Sequence, residues 1–155
     1  MPRSHKSVLH KEVKQLYQLG VFKKVNCSEW GAPTFIQPKN NGRVRFLSHF
    51  RKLNQRIRRK PSPILKIKDM LLTLEGFLYV SSLHLNMVYY HMELSPVAKH
   101  FCAFVLPWGK YGYQKLPMRV CNSFDTFQEN ISEIFDGFEM VHAYIDDVIV
   151  SKYNF

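Results

Sequence analysis

The segment Tyr144-Ile145-Asp146-Asp147 limits the folds open to this chain more than any other stretch. Two apolar, β-rich runs, Ala143–Ile145 and Val148–Val150, close on an adjacent pair of acids. A carboxylate pair inside flanks of this kind is costly unless its charge is used or compensated. The pattern therefore predicts a β-hairpin with two carboxylates at its turn. Adjacent acids on a tight hairpin can direct oxygen ligands toward a hard divalent cation. Asp-Asp is also common in ordinary solvated turns, so the pair alone leaves catalysis and bland solvation both open.

The rest of the chain supplies a scaffold for such a hairpin. Leu9, Val13 and Leu16 recur at helical spacing and Gly20 follows, which predicts an amphipathic helix over about 8–19. Gly31, Pro33 and Pro38 bracket a short apolar strand. Asn40-Asn41-Gly42 then signals a tight turn into a second strand, Arg43–Leu47, giving a hairpin with basic side chains near its tip. Ile67, Met70, Leu71 and Leu74 predict another helix closed by Gly76. Phe77–Leu83 reads as a buried strand. A loop at Ser95-Pro96 leads to a further hairpin around Pro107-Trp108-Gly109-Lys110. Phe124, Phe127, Ile131 and Ile134 define a third helix, with Asn122 or Ser123 placed to cap it. Helices and strands mix without strict βαβ alternation, so the fold class expected is α+β.

Charge is divided sharply along the chain. Residues 1–68 carry 17 Lys+Arg against Glu12 and Glu29, whereas residues 69–155 carry 5 against 10 Asp+Glu. From Arg43 to Lys68 there are ten basic residues and no acid. Such a block is either a solvated face or a surface for a polyanion, with nucleic acid as the leading candidate. The N-terminus lacks the apolar run of a signal peptide, and no stretch approaches the ~18 apolar residues of a membrane span. A soluble intracellular protein with no membrane partner is the expectation. Cys27, Cys102 and Cys121 form no CxxC pair, which argues against a disulfide framework or a structural zinc site. His5, His10, His91, His100 and His142 show no metal-ligand spacing.

Taken in order, these segments resemble the fingers and palm of a reverse transcriptase, especially that of long-terminal-repeat retrotransposons of the gypsy class. The likeness runs from about Val13 to Tyr153. VKQLYQLGVFKKVNCSEWGAPTFIQPKNNGRVRFLSHFRKLNQ is similar to the entry into the fingers, and FLYVSSLHLNMVYYHMELSP to the first catalytic strand. LPWGKYGYQKLPMRVCNSFDTFQ is similar to the segment that positions primer and template, and YIDDVIV to the catalytic hairpin. The resemblance implies one unit over 1–155, with about 1–76 mainly fingers and about 77–155 mainly palm with a fingers insertion. Thumb and RNase H would be absent. It implies RNA-directed DNA polymerase chemistry, in which deoxynucleotides are added to a primer 3′-hydroxyl on an RNA or DNA template. An antiparallel palm sheet packed on helices would carry the centre, within an ancestral polyprotein. Asp146 and Asp147 would bind magnesium, Lys39 and Arg45 would contact the incoming deoxynucleotide triphosphate, and Tyr89 would exclude a ribose 2′-hydroxyl. Core packing is the competing reading for Tyr89-Tyr90.

Departures from the family pattern are equally specific. His84 stands where the family carries the Asp that bridges both metals. A neutral imidazole offers one nitrogen and no negative charge, a poor match to magnesium. The loss of a charged ligand plausibly costs ~3 orders of magnitude in rate, about 4 kcal/mol of transition-state stabilisation. His49 replaces an Asp in the fingers segment, Val88 and Arg119 replace glycines, and Phe124 stands where a Pro opens the helix. These changes read as drift. Three functions stay open on the sequence: a degenerate polymerase fragment that is inactive or nearly so, a non-catalytic basic nucleic-acid-binding module, and a functionless relic.

Overall fold

The computed structural model describes residues 3–26, 28–38, 44–62, 68, 70, 72 and 76–152. In chain order its elements are α1 (Arg3–Gln18), β1 (Phe22–Lys24), β2 (Thr34–Pro38), β3 (Val44–Ser48), α2 (Arg51–Asn54) and β4 (Tyr79–His84). A 3-10 turn (Val88–His91), α3 (Pro96–Phe101), β5 (Ala103–Leu106), β6 (Gly109–Tyr113), α4 (Ser123–Ile134), β7 (Val141–Tyr144) and β8 (Asp147–Lys152) follow. The fold is α+β, and its paired strands are antiparallel. The chain divides into two compact units, residues 1–58 with 89–121 and residues 59–88 with 122–155. The first holds 17 Lys+Arg against 3 Asp+Glu, the second 5 against 9. The charge split is thus a property of the folded units as well as of the linear sequence.

In the first unit α1 buries Leu9, Val13 and Leu16, the residues whose spacing predicted it. The helix starts five residues before the predicted boundary, at Arg3, because nothing between there and Leu9 stops it. Gly20, at φ +72°, ends it, and the Val21 N–H reaches back to the Leu16 carbonyl at 2.9 Å. Strands β1, β6 and β5 form one sheet, and β2 pairs with β3 in a hairpin whose register runs from Thr34↔Ser48 to Pro38↔Val44. The Asn40–Gly42 turn predicted between them lies outside the described residues. Phe104 is fully buried and touches Phe22, Phe46, Tyr111 and Tyr113 at centroid distances of 4.8–5.8 Å. This aromatic cluster is the unit's core. Ser95 was expected in a loop but caps α3 instead: its hydroxyl accepts from the Ala98 N–H at 3.3 Å, with Pro96 in the first turn.

The second unit is a three-stranded sheet in the order β4-β8-β7, with α4 against β7. Phe127 and Ile131 of α4 are buried as predicted, while Ile134 is exposed. Asn122 occupies the N-cap position but makes no side-chain cap hydrogen bond. The Asn122 carboxamide oxygen accepts from the Lys60 N–H instead, at 3.2 Å. The carboxylate of Asp125, in the first turn of α4, is buried. It accepts from Arg59 Nε at 3.3 Å and from the Ser62 N–H at 3.2 Å. Burial alone would raise its pKa. These hydrogen bonds and the Arg59 charge outweigh it and hold the carboxyl below its ordinary value.

One prediction for this unit is corrected. The segment Phe77–Leu83 is not a buried strand: β4 is exposed along its whole length, with Tyr79 at 71% and Leu83 at 56%. It is an edge strand bonded only to β8, and no described element covers either face. Most of the helix predicted around Ile67–Leu74 lies outside the described residues, although Met70 among them is buried.

Candidate active site

The YIDD segment forms a tight hairpin turn. Tyr144 pairs with Asp147 across a two-residue loop, Ile145-Asp146. Ile145 has φ +53°, in the left-handed region that two-residue hairpin turns normally give to glycine or asparagine. A β-branched residue is strained there, by about 1–3 kcal/mol. Two ties hold the turn against that strain. Gln128 of α4 is 5% exposed; its Oε1 accepts from the Ile145 N–H at 3.0 Å, and its Nε2 donates to the Ala143 carbonyl at 3.0 Å. From the other side the Leu85 N–H donates to the Asp146 carbonyl at 2.7 Å. The turn is built by the sheet and the helix together.

The register brings His84 and Asp147 face to face. They are paired across β4 and β8, and His84 Nδ1 lies 2.9 Å from Asp147 Oδ1. Both side chains are more than half exposed. Asp146 differs: its Oδ1 is buried and has no hydrogen-bond partner. An orphaned carboxylate oxygen is a group that a cation would satisfy. Its surroundings do not complete a site, however. No three His, Cys, Asp or Glu side chains among the described residues are placed to hold a metal ion. One oxygen of Asp147 is already engaged by the imidazole. The residues around this turn therefore do not fit a pair of magnesium ions.

Of the other predicted positions, Lys39, Arg45, His49, Tyr89 and Arg119 belong to the first unit and Phe124 to the second. Lys39 is outside the described residues. Arg45 is an exposed residue of β3, opposite Gln37. Tyr89 is half-buried in the 3-10 turn. Its neighbour Tyr90 has its hydroxyl pushed up to about 12, first by burial and then by the charge of Glu12, against the opposing pull of Arg45. Packing thus describes Tyr90 well. His49 is exposed and lies beside Phe35, ring centroids 6.5 Å apart. Arg119 has φ +76°, a backbone that costs a non-glycine residue about 1–2 kcal/mol. Its guanidinium sits 5.4 Å over the Phe35 ring, and its carbonyl accepts from Asn54 Nδ2 at 2.9 Å. Phe124 is half-buried.

Gln128 is the residue that sequence reasoning missed. The signal was a lone amide on an otherwise apolar helix face, between Phe124, Phe127 and Ile131. A buried amide in that setting requires partners, and the turn backbone supplies them.

No family model matches the chain. In sequence it is 26% identical over 154 residues to the retrovirus-related Pol polyprotein from transposon gypsy of Drosophila melanogaster, which covers 94% of this chain and 15% of that polyprotein. It is 22% identical over 152 residues to the transposon Tf2-3 polyprotein of Schizosaccharomyces pombe, covering 97% and 11%. The chain therefore spans under a sixth of the length of these relatives. In structure it is similar to the prototype foamy virus protease-reverse transcriptase, with TM-score 0.89 and 22% identity over 99% of this chain and 21% of that one. A foamy viral protease-reverse transcriptase in complex with double-stranded DNA matches with TM-score 0.82 and 17% identity, over 99% and 26%.

Proposed function

We propose that this chain, a reverse-transcriptase-like domain of the long-terminal-repeat retrotransposon kind, descends from an RNA-directed DNA polymerase and has lost its chemistry at His84. The ancestral reaction on this reading is two-metal addition of deoxynucleotides to a primer 3′-hydroxyl. Asp146 and Asp147 are its remaining carboxylates. Lys39 and Arg45 take the triphosphate contacts, and Tyr89 the exclusion of the 2′-hydroxyl. The observation that carries the reading is the 2.9 Å contact between His84 Nδ1 and Asp147 Oδ1. On this reading an imidazole stands where a bridging carboxylate is required, and the contact engages an oxygen of one of the two remaining acids.

Two measurements test the proposal. Manganese binding by calorimetry compares the chain with His84→Asp: the variant is expected to acquire a site that the parent lacks at millimolar ion. Primer extension compares the same pair, each joined to one thumb-bearing reverse-transcriptase remainder. The expected gain on His84→Asp is about 1000-fold, the ~4 kcal/mol worth of a charged ligand. Equal and robust extension by both chimeras would sink the claim.

A second reading is favoured by the charge of the first unit, 17 Lys+Arg against 3 Asp+Glu. Here the chain binds nucleic acid without catalysis. Affinity then falls linearly with salt on logarithmic axes, through release of counterions from neutralised phosphates. Binding that ignores salt would remove this reading.

A further inference from the structure

Strand β4 leaves one edge of the second unit's sheet without a neighbour among the described residues. From Tyr79 to Leu83 it carries neither a charge nor a proline, the devices that keep natural edge strands apart. Leu78, Tyr79, Val80 and Leu83 are each more than half exposed. Which backbone groups face outward follows from the ladder. The Leu85 N–H bonds the Asp146 carbonyl, its opposite in the β4–β8 register. Bonded and unbonded pairs alternate in an antiparallel ladder, so Ser81 and Leu83 bond β8 as well. The N–H and carbonyl groups of Val80, Ser82 and His84 are therefore aimed at the open edge.

We infer that β4 pairs antiparallel with β4 of a second copy of this chain, on a two-fold axis at Ser82. In that register Ser82 faces Ser82 and Val80 faces His84, so all three outward residues enter bonded pairs. Moving the axis to Ser81 would set His84 against Leu78, whose N–H is already bonded to the Lys152 carbonyl at 3.2 Å. Moving it to Leu83 would set Val80 beyond the end of the strand. Apolar groups meet in the same register. Tyr79 stands opposite the second copy's Leu85, and Leu83 lies diagonal to the second copy's Tyr79 and Leu83. Charge is complementary: Lys152, opposite Tyr79, shares a row with the second copy's Asp146, opposite Leu85. The two acidic turns lie at opposite ends of the seam and do not repel. Val80 of the second copy comes to stand beside His84, so each copy adds a residue next to the other's carboxylate turn. A strand of six residues covers less than the ~800 Å² per partner of a standard interface, so the dimer belongs to the small, concentration-dependent class.

Light scattering of the whole chain from about 5 to about 500 μM tests the pairing, a span suited to a small interface. The mass is expected to rise from 18.3 kDa toward twice that value. Ser82→Pro removes the N–H on the axis and spares the β4–β8 ladder, because Ser82 does not bond β8. This variant is expected to stay at 18.3 kDa throughout. Ser82→Cys is expected to cross-link on mild oxidation, since a bonded pair sets its Cα atoms about 5.5 Å apart, within disulfide range. Val80→Cys, whose opposite is His84, is expected not to cross-link. Circular dichroism checks that each variant is folded. Should proline unfold β4, Leu83→Lys takes its place, because two lysines diagonal across the seam would hold the chain monomeric. A parent chain that stays at 18.3 kDa over the whole range would overturn the inference, whether its edge remains bare or takes a strand of another sequence. A dimer that persists in folded Ser82→Pro would overturn it as well.

Discussion

Replacing Gln128 with leucine tests whether the carboxylate turn is held by α4 or by its own sequence. The substitution keeps side-chain size and removes three hydrogen bonds: two to the turn backbone, at the Ile145 N–H and the Ala143 carbonyl, both at 3.0 Å, and a longer one to Ser132 Oγ at 3.4 Å. Gln128 is 5% exposed, so water cannot readily replace it from the helix side. Each backbone group left unsatisfied costs about 1–3 kcal/mol. The sum, 2–6 kcal/mol, has a ceiling, because a freed turn can relax Ile145 out of its left-handed φ and recover part of the ~1–3 kcal/mol of strain. A net loss of about 2–4 kcal/mol is the expectation. Urea unfolding measures it, with an unchanged slope showing that the unfolded state is unaffected. Amide exchange locates it, since protection at Ile145 should fall first. Gln128→Glu is an informative partner, because a carboxylate still accepts from Ile145 but cannot donate to Ala143. A leucine variant that loses under ~0.5 kcal/mol and keeps its Ile145 amide protected would refute the account.

Asp125 sets an acid limit on stability. Its folded pKa is depressed below the ordinary 3.8, so the stability it contributes is present above that value and is lost as pH falls through the folded pKa. Asp125→Asn should flatten that acid limb of a pH–stability profile measured by denaturant midpoint. Tyr90 acts at the other end: its folded pKa of about 12 against 10.0 makes stability decline as pH rises from 10 toward 12, and Tyr90→Phe should reduce that decline. Phe104→Ala in the aromatic core is expected to cost about 3–5 kcal/mol in denaturant unfolding, the range for a large cavity.

Local pattern carried most of this fold. Helix α1, the hairpin of β5 and β6, helix α4 and the YIDD turn were all legible, because each is written in a periodic or punctuated run of neighbouring residues. The carboxylate site was legible as a pair of residues, and the resemblance set His84 beside it, but the bond between them was not. Nothing in the linear order shows that His84 reaches Asp147, because that contact depends on the β4–β8 register between residues 63 positions apart. The exposure of β4 was hidden for a related reason. Its apolar composition is that of a buried strand, and only the sheet order reveals it as an edge. Helix α3 was missed because Ser95-Pro96 is both a turn signal and a helix start, and six residues give too little periodicity to decide between them.

The turn and the chemistry proposed for it answer to different constraints. Gln128, the Leu85 amide and the β4–β8 ladder hold Ile145 in a conformation it would not choose, and all of them contribute to folding. A change at any of them is felt in stability. To that frame residue 84 adds only the contact of its exposed side chain with Asp147. Its side chain projects from an exposed edge strand, and imidazole finds a hydrogen-bond partner in Asp147 as readily as a carboxylate would find a cation. On the proposed descent, a polymerase relieved of selection would thus lose its metal centre at position 84 well before it lost the hairpin that presented it. The Arg119 substitution follows the same logic at lower cost, with its left-handed strain partly offset by the Phe35 ring beneath its guanidinium.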